Sequence, residues 1–124
     1  DLFLYPLHTG ATSRHTGIGN QYIQPNNGVT TYTSGTEWQI GLELGNSSGE
    51  FFHSEVDVSI STSTSSESFG MLANVNYEDD SGVGVSSHII GYTTSNMGAV
   101  MDGLRVDCAS NFATGNFKLY GLPA

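Results

Sequence analysis

Positive charge is scarce in this sequence. Lys and Arg together number three against twelve Asp and Glu, so the formal net charge is −9 at pH 7. Nucleic acids and anionic lipid surfaces are bound by clusters of Lys and Arg, and we therefore expect neither a nucleic-acid partner nor a membrane partner. The balance is compatible with a basic partner protein or with a neutral polar ligand such as a sugar.

Cysteine, long apolar runs and charge of either sign are also limited. Cys108 is the single cysteine, so it cannot form an internal disulfide, and its phase with Leu104 and Val106 predicts a small core residue. No window is as long and apolar as a transmembrane helix. Charged residues make up 12% of the chain, about half the usual share, and Ser, Thr, Asn and Gly take their place. Such a surface suits a β protein outside the cytoplasm or in a virion.

Helical periodicity is missing as well, and strand patterns replace it. Apolar residues alternate with polar ones in several runs, most clearly in 38–44, 52–61, 71–77 and 103–108. Seven to nine short strands at a spacing of about ten residues predict an all-β protein. Because one face of each strand is apolar and the other polar, we predict a two-sheet antiparallel β-sandwich, with a jelly roll as the preferred topology.

The first twenty residues stand apart from this pattern. We predict that residues 1–20 are an N-terminal arm and loop, and that residues 21–124 form a single β-sandwich domain. The apolar segment 2–7 either completes the domain's own sheet or packs against another subunit; the second is preferred, because Pro6 limits ladder pairing. Tyr120, which is out of phase with its apolar neighbours, is a further candidate contact. The predicted assembly contacts are Leu2, Phe3, Leu4, Tyr5, Leu7 and Tyr120.

Histidines and clustered carboxylates are the candidates for a metal site. Asp79 and Asp80 could hold calcium through carboxylate oxygens, but a solvated hairpin tip is the preferred interpretation. The histidines are widely separated, and none of their spacings matches a metal-binding pair. We therefore predict no metal and no cofactor. The four histidines are His8, His15, His53 and His88.

Catalytic patterns are absent from the sequence too. Glu55 and Asp57 are predicted on the outward face of one strand, where acid–base chemistry is not expected. No serine lies in a Gly-x-Ser-x-Gly elbow. Trp38 and the tyrosines raise the idea of stacking on a sugar, but Trp38 is in phase with Ile40 and is predicted to lie in the core. We predict that the protein is not an enzyme and has no catalytic residue.

The end of the chain, residues 103–122, is predicted to form a hairpin with a long loop. Its second strand would alternate Phe117 and Leu119 with Lys118 and Tyr120. Strict alternation also predicts that the charged neighbours of the core residues face away from the core, namely Arg105, Asp107, Glu55 and Asp57. The predicted core comprises Leu104, Val106, Leu119, Val56, Val58, Ile60, Ile40 and Leu42.

This closing run resembles the last hairpin of small, jelly-roll-like β-sandwich domains in tailed-bacteriophage virion proteins. The resemblance rests on Gly103-Leu-Arg-Val-Asp-Cys108, on Ser110-Asn-Phe112 with Thr114-Gly115, and on Phe117-Lys-Leu-Tyr-Gly-Leu122. The family pattern has a strand with a basic residue, a loop with Asn-Phe and Gly, and then Phe-x-Leu-Tyr-Gly. Asp107-Cys108 departs from the short polar residues that are common there. The resemblance implies a non-enzymatic, oligomeric virion component, often a trimer on capsids.

Two functions follow as expectations. The preferred one is a capsid decoration (cement) protein, a homotrimer on the capsid surface of the virion that binds the major capsid protein and stabilises the phage head against internal DNA pressure. The small domain, the few long charged side chains and the apolar N-terminal segment favour it. The alternative is a tail-fibre or receptor-binding module that binds a host-surface carbohydrate. The number of copies in each virion would distinguish them.

Overall fold

Strands account for all the regular secondary structure in the part of the chain that the computed structural model describes, which is residues 1–8, 13–14, 16–25, 28–32, 35–45, 47–59, 70–93, 101–108 and 115–121. None of these ranges holds a helix that could span a membrane. The strands are β1 Leu2–His8, β2 Ser13–Arg14, β3 Ile18–Gln24, β4 Gly28–Tyr32, β5 Trp38–Gly41, β6 Phe52–Ser59, β7 Gly70–Glu78, β8 Gly84–Thr93 and β9 Gly103–Cys108.

The described strands form two antiparallel sheets. One has five strands in the order β4-β3-β8-β7-β6. In the other, β1 pairs with β9 along one edge, and with β5 and then β2 along the other edge. Residues from both sheets share one hydrophobic core, so the all-β class and the two-sheet antiparallel sandwich are confirmed. Neighbours that are distant in sequence, such as β3 with β8 and β1 with β9, distinguish the fold from a simple meander. The finer jelly-roll topology stays a prediction.

The position of β1 corrects the prediction of an N-terminal arm. β1 pairs with β9 from Leu2 opposite Cys108 to Leu7 opposite Gly103, so the segment completes the domain's own sheet. The boundary predicted after residue 20 falls inside β3. Pro6 is tolerated because β5 pairs only up to Leu4 and β2 starts at Leu7. The proline therefore lies in a gap of that ladder, where a missing N–H costs little.

The core lies between the two sheets and is centred on Trp38, whose side chain is 0% exposed. This confirms Trp38 as a core residue rather than a sugar platform. Around it pack Ile18 and Tyr22 from β3, and Ile89 from β8. Cys108 is half-buried and packs against the same cluster. Further core residues are Leu2, Leu4, Ile40, Met71, Ala73, Val75, Tyr77 and Met101.

The predicted core is confirmed in part. Ile40 is buried, and the half-buried side chains Val56, Val58 and Leu104 pack against the core. Leu42 and Val106 are exposed, so the prediction that they lie in the core is wrong. Leu42 comes after β5 has ended at Gly41, and Val106 lies on β9, for which the described residues give a partner along one edge only. Ile60 lies outside the described residues. Of the charged neighbours, Arg105, Glu55 and Asp57 are exposed as predicted, and Asp107 is half-buried.

The prediction of a second strand in a C-terminal hairpin is also wrong. Residues 115–121, which we call the tail segment, belong to no strand. Leu119 is 89% exposed and Tyr120 is 76% exposed. The first hairpin strand is confirmed as β9, but β9 takes β1 as its partner. Alternation correctly identified β9 as a strand without identifying its neighbour.

Two buried hydrogen bonds and one part-buried hydrogen bond connect the two sheets at β5 and at Leu42, which follows it. The backbone N–H of Gln39 donates to Asn20 Oδ1 at 2.8 Å, and the hydroxyl of Tyr22 donates to the carbonyl oxygen of Gln39 at 2.7 Å. The N–H of Leu42 donates to the hydroxyl oxygen of Tyr77 at 3.3 Å. Three side chains of the five-stranded sheet therefore hold β5, which fixes the separation and register of the two layers.

Candidate binding surface

The outward side of the five-stranded sheet is built by cross-strand register. Asp57 on β6 lies opposite Leu72 on β7, which in turn lies opposite Ile90 on β8. The next outward row has Glu55 opposite Asn74, then His88 and Ile23. Because successive side chains of a strand point to opposite faces, these two rows lie together and away from the core. We call this surface the outer face; it comprises Ile23, Glu55, Asp57, Leu72, Asn74, His88 and Ile90.

Apolar side chains run across the outer face. Leu72 is 59% exposed, and Ile90 and Ile23 are exposed beside it. A shallow groove of about 300 Å³ is lined by these three residues together with Asp57, Asn74 and His88, and by Ala73 and Ile89 beneath them. A second depression of about 190 Å³ continues past Asp57 and Leu72 towards Gly70. Exposed apolar residues on an ordered sheet are a feature of contact surfaces.

Polar groups frame these apolar residues. The ring Nδ1 of His88 lies 2.5 Å from Asn74 Oδ1, which fixes the orientation of both side chains. Glu55 and Asp57 place two carboxylates along the β6 side of the outer face. No Lys or Arg belongs to the outer face, and the one ion pair found among the described residues, Arg105 with Asp107, is on β9. The outer face is therefore apolar at its centre and acidic along one side.

The predicted assembly contacts are not brought together on a free surface. Leu2, Leu4, Tyr5 and Leu7 are buried in the domain, because β1 is flanked by β9 and by β5 and β2. Phe3 is half-buried, and its ring centroid lies 6.3 Å from that of Tyr32. Tyr120 is exposed. The β1 residues act in folding, and any contact role for them stays a prediction.

The acidic turn between β7 and β8 has a structural explanation. Asp79 Oδ1 accepts hydrogen bonds from the backbone N–H of Ser81 at 2.9 Å and of Val83 at 2.8 Å. A carboxylate that bonds its own backbone in this way stabilises a tight turn. This geometry matches the hairpin-tip interpretation of Asp79 and Asp80.

The histidines lie on different elements. His8 is on β1, whereas His53 and His88 are on the outward side of β6 and β8; His15 is outside the described residues. Within the described ranges, no group of three His, Cys, Asp or Glu side chains could hold a metal ion. Burial of the phenol is the main cause that raises the pKa of Tyr22 and of Tyr77. Both tyrosines point into the core, away from the outer face.

Sequence reasoning did not find the pairing of His88 with Asn74. The alternation in β7 and β8 already indicated that both side chains point outward. Their contact depends on the register that places Asn74 opposite His88, and one sequence does not reveal register.

No family model, no curated protein and no solved structure matches this chain.

Proposed function

We propose that this protein is a non-enzymatic structural protein of a tailed-bacteriophage virion, a capsid decoration (cement) protein that stabilises the phage head. In this proposal it is a homotrimer on the capsid surface, and its partner is the major capsid protein. The observation that carries the proposal is the outer face, an apolar and acidic surface on an ordered sheet. Its acidic side would complement any basic patch on a shell subunit.

Hydrogen bonds between the two sheets support a clamping role. The hydrogen bonds from Asn20, Tyr22 and Tyr77 to β5 and its neighbour Leu42 hold the two sheets together, so a load on one layer is passed to the other. With charged residues at only 12% of the chain, few long flexible side chains lose entropy when a contact forms. A rigid surface with short side chains binds at low entropic cost.

Binding to shells from which the protein has been stripped tests the proposal. Leu72→Asp places a charge at the centre of the outer face, and because Leu72 is 59% exposed the fold is expected to tolerate it. Val83→Asp is the matched control, since Val83 is 56% exposed but lies at the β7–β8 turn. We expect Leu72→Asp to weaken shell binding by roughly tenfold or more and Val83→Asp to leave it unchanged. Equal binding by both variants, or no binding by the wild type, contradicts the proposal.

A specific observation favours the alternative, a tail-fibre or receptor-binding module. Asp57, Asn74 and His88 place carboxylate, amide and imidazole groups in one groove, and such groups form hydrogen bonds with sugar hydroxyls. A glycan array probed with the wild type and with Asn74→Ala tests this function. Glycan binding that Asn74→Ala abolishes, with no affinity for shells, would replace the capsid proposal by the alternative. Counting copies in each virion provides an independent check, because a decoration protein covers the shell whereas a fibre tip is rare.

A further inference from the structure

β6 is an edge strand with few of the usual protections. It pairs with β7 in an unbroken register from Phe52 opposite Tyr77 to Ser59 opposite Gly70, and the described strands provide no partner along its other edge. Edges of this kind are usually blunted by lysine, proline or a bulge, and β6 has none of the three. Val56 and Val58 face the core but are only half-buried. Among the described residues, the edge therefore has a hydrogen-bonding ladder without a partner strand and an incompletely covered apolar side.

The tail segment has the alternation of a strand, although residues 115–121 lie in no strand. Phe117 and Leu119 alternate with Lys118 and Tyr120, as in a strand with one apolar side. Its large side chains are exposed, with Leu119 at 89%. Lys118 is one of only three cations in a chain of net charge −9. An exposed apolar strand pattern that carries a rare positive charge suggests a partner surface that is apolar and acidic.

We propose that the tail segment of one copy adds to the edge of β6 in a second copy, as a sixth strand of its five-stranded sheet. Adjacent strands lie about 4.8 Å apart, so Phe117 and Leu119 would cover Val56 and Val58 on the inner side. On the outer side, Lys118 would lie beside Glu55 and Asp57.

Charge favours β6 over two other described edge strands, β9 and β4. Its outward carboxylates, Glu55 and Asp57, are in no ion pair within the described residues. On β9 the equivalent charges, Arg105 and Asp107, already pair with each other at 2.5 Å, and Arg105 would repel Lys118. The outward side chains of β4, Val29 and Thr31, carry no charge. Of these three edges, β6 is the one at which the charge of the tail segment is matched.

A tail-to-edge contact joins two different surfaces, so it is heterologous and closes into a ring when the rotation between copies allows. It gives the proposed homotrimer a specific contact, and it rests on the proposed function only for the number three. Its test uses purified protein without shells, whereas the capsid proposal is tested by shell binding through Leu72. The two proposals can therefore fail separately.

The first experiment measures self-association of the full chain by sedimentation velocity over a concentration series. Leu119→Asp is the tail variant, and Val83→Asp is its matched control, because both side chains are exposed and lie outside the strands. We expect the wild type and Val83→Asp to associate alike, and Leu119→Asp to associate about tenfold to a hundredfold more weakly. A wild type that stays monomeric, or Leu119→Asp that associates like the wild type, overturns the proposal.

Charge exchange tests the pairing itself. Lys118→Glu and the double variant Glu55→Lys/Asp57→Lys are each expected to weaken association several-fold, because each places like charges side by side. Combining all three substitutions restores opposite charges and is expected to recover association. A combined variant no stronger than either parent overturns the contact. So does a result in which the tail variants lower the melting temperature without changing association, because the tail segment would then pair within its own chain.

Discussion

Replacing Gly91 by alanine tests how the core is packed around Trp38. Gly91 lies on β8 opposite Met71. A Cβ atom at this position would be 2.7 Å from Trp38 Nε1 and 2.9 Å from Met71 Cβ. The Met71 Cβ is fixed to the backbone of the neighbouring strand, and the indole of Trp38 is completely buried. Neither neighbour can move aside without disturbing the core, so the added methyl group must displace the indole or separate β7 from β8.

The expected cost follows from these contacts. Overpacking a core in this way costs about 1–3 kcal/mol, and the alanine returns about 0.5–1 kcal/mol by restricting the unfolded chain. Displacing the indole also weakens the bond that Trp38 Nε1 donates to the carbonyl oxygen of Tyr92, which is already long at 3.4 Å. Contacts below 3 Å place the overpacking cost in the upper part of its range, so the net loss is about 1–2 kcal/mol, which corresponds to a fall in melting temperature of roughly 4–8 °C for a domain of this length.

Gly70→Ala is the matched control. Gly70 is also a strand glycine, on β7, but a Cβ atom there would meet only the carbonyl oxygen of Gly91 at 3.6 Å, which is an ordinary contact. Trp38 is the only tryptophan, so its fluorescence reports the affected site directly during thermal unfolding. We expect Gly91→Ala to be destabilised with altered emission, and Gly70→Ala to be as stable as the wild type or slightly more so. Equal melting temperatures for the two variants would refute the packing of Trp38 against Gly91.

Three further outcomes are expected. Tyr22→Phe removes the 2.7 Å bond to the carbonyl of Gln39 and should lower the free energy of unfolding in urea by about 1–3 kcal/mol; no loss would show that this bond does not hold β5. Burial raises the pKa of Tyr22 and Tyr77 in the folded state above the ordinary value of 10.0, so the unfolded state binds fewer protons than the folded state above that pH. The free energy of unfolding should therefore keep its full value below pH 10 and fall as the pH rises, less steeply in Tyr22→Phe. An identical slope in Tyr22→Phe and the wild type would argue against this. Deleting residues 1–7 should abolish the cooperative thermal transition followed by circular dichroism, because it removes the strand to which β9 and β5 are bonded; a truncated chain that still melts cooperatively would contradict the role of β1.

Phase within a strand was predictable from the sequence. The alternation of Val56 and Val58 with Glu55 and Asp57 correctly predicted the two sides of β6. It works because burial of one face requires a period of two, whatever the neighbouring strand is. The two-sheet class followed from many such strands in series, and Trp38 was placed in the core by its phase with Ile40.

Partner choice was not predictable in the same way. Leu119 has the alternation of a strand, yet β9 pairs with the distant β1 instead of the tail segment. Pro6 suggested an arm, because the sequence does not show that the ladder beside it is interrupted. The outer face was not predictable for the same reason. Asp57, Leu72 and Ile90 come from three different strands and become neighbours only through the register of those strands. Long-range pairing depends on the sum of many contacts, which local patterns do not specify.

The pairing of β1 with β9 has a consequence for how the nascent protein acquires its shape. During synthesis β1 leaves the ribosome long before β9, and Leu2 has no Cys108 to pair with until the later strand has emerged. The β6-β7-β8 meander joins strands that are consecutive in sequence, so it is able to form while the rest is still being made. The four-stranded sheet stays incomplete until then, and the edge of β1 that pairs with β9 is exposed to water and to other nascent chains. Chaperone dependence should therefore concentrate in this interval, and a ribosome-bound chain stalled before residue 103 should remain sensitive to protease in β1.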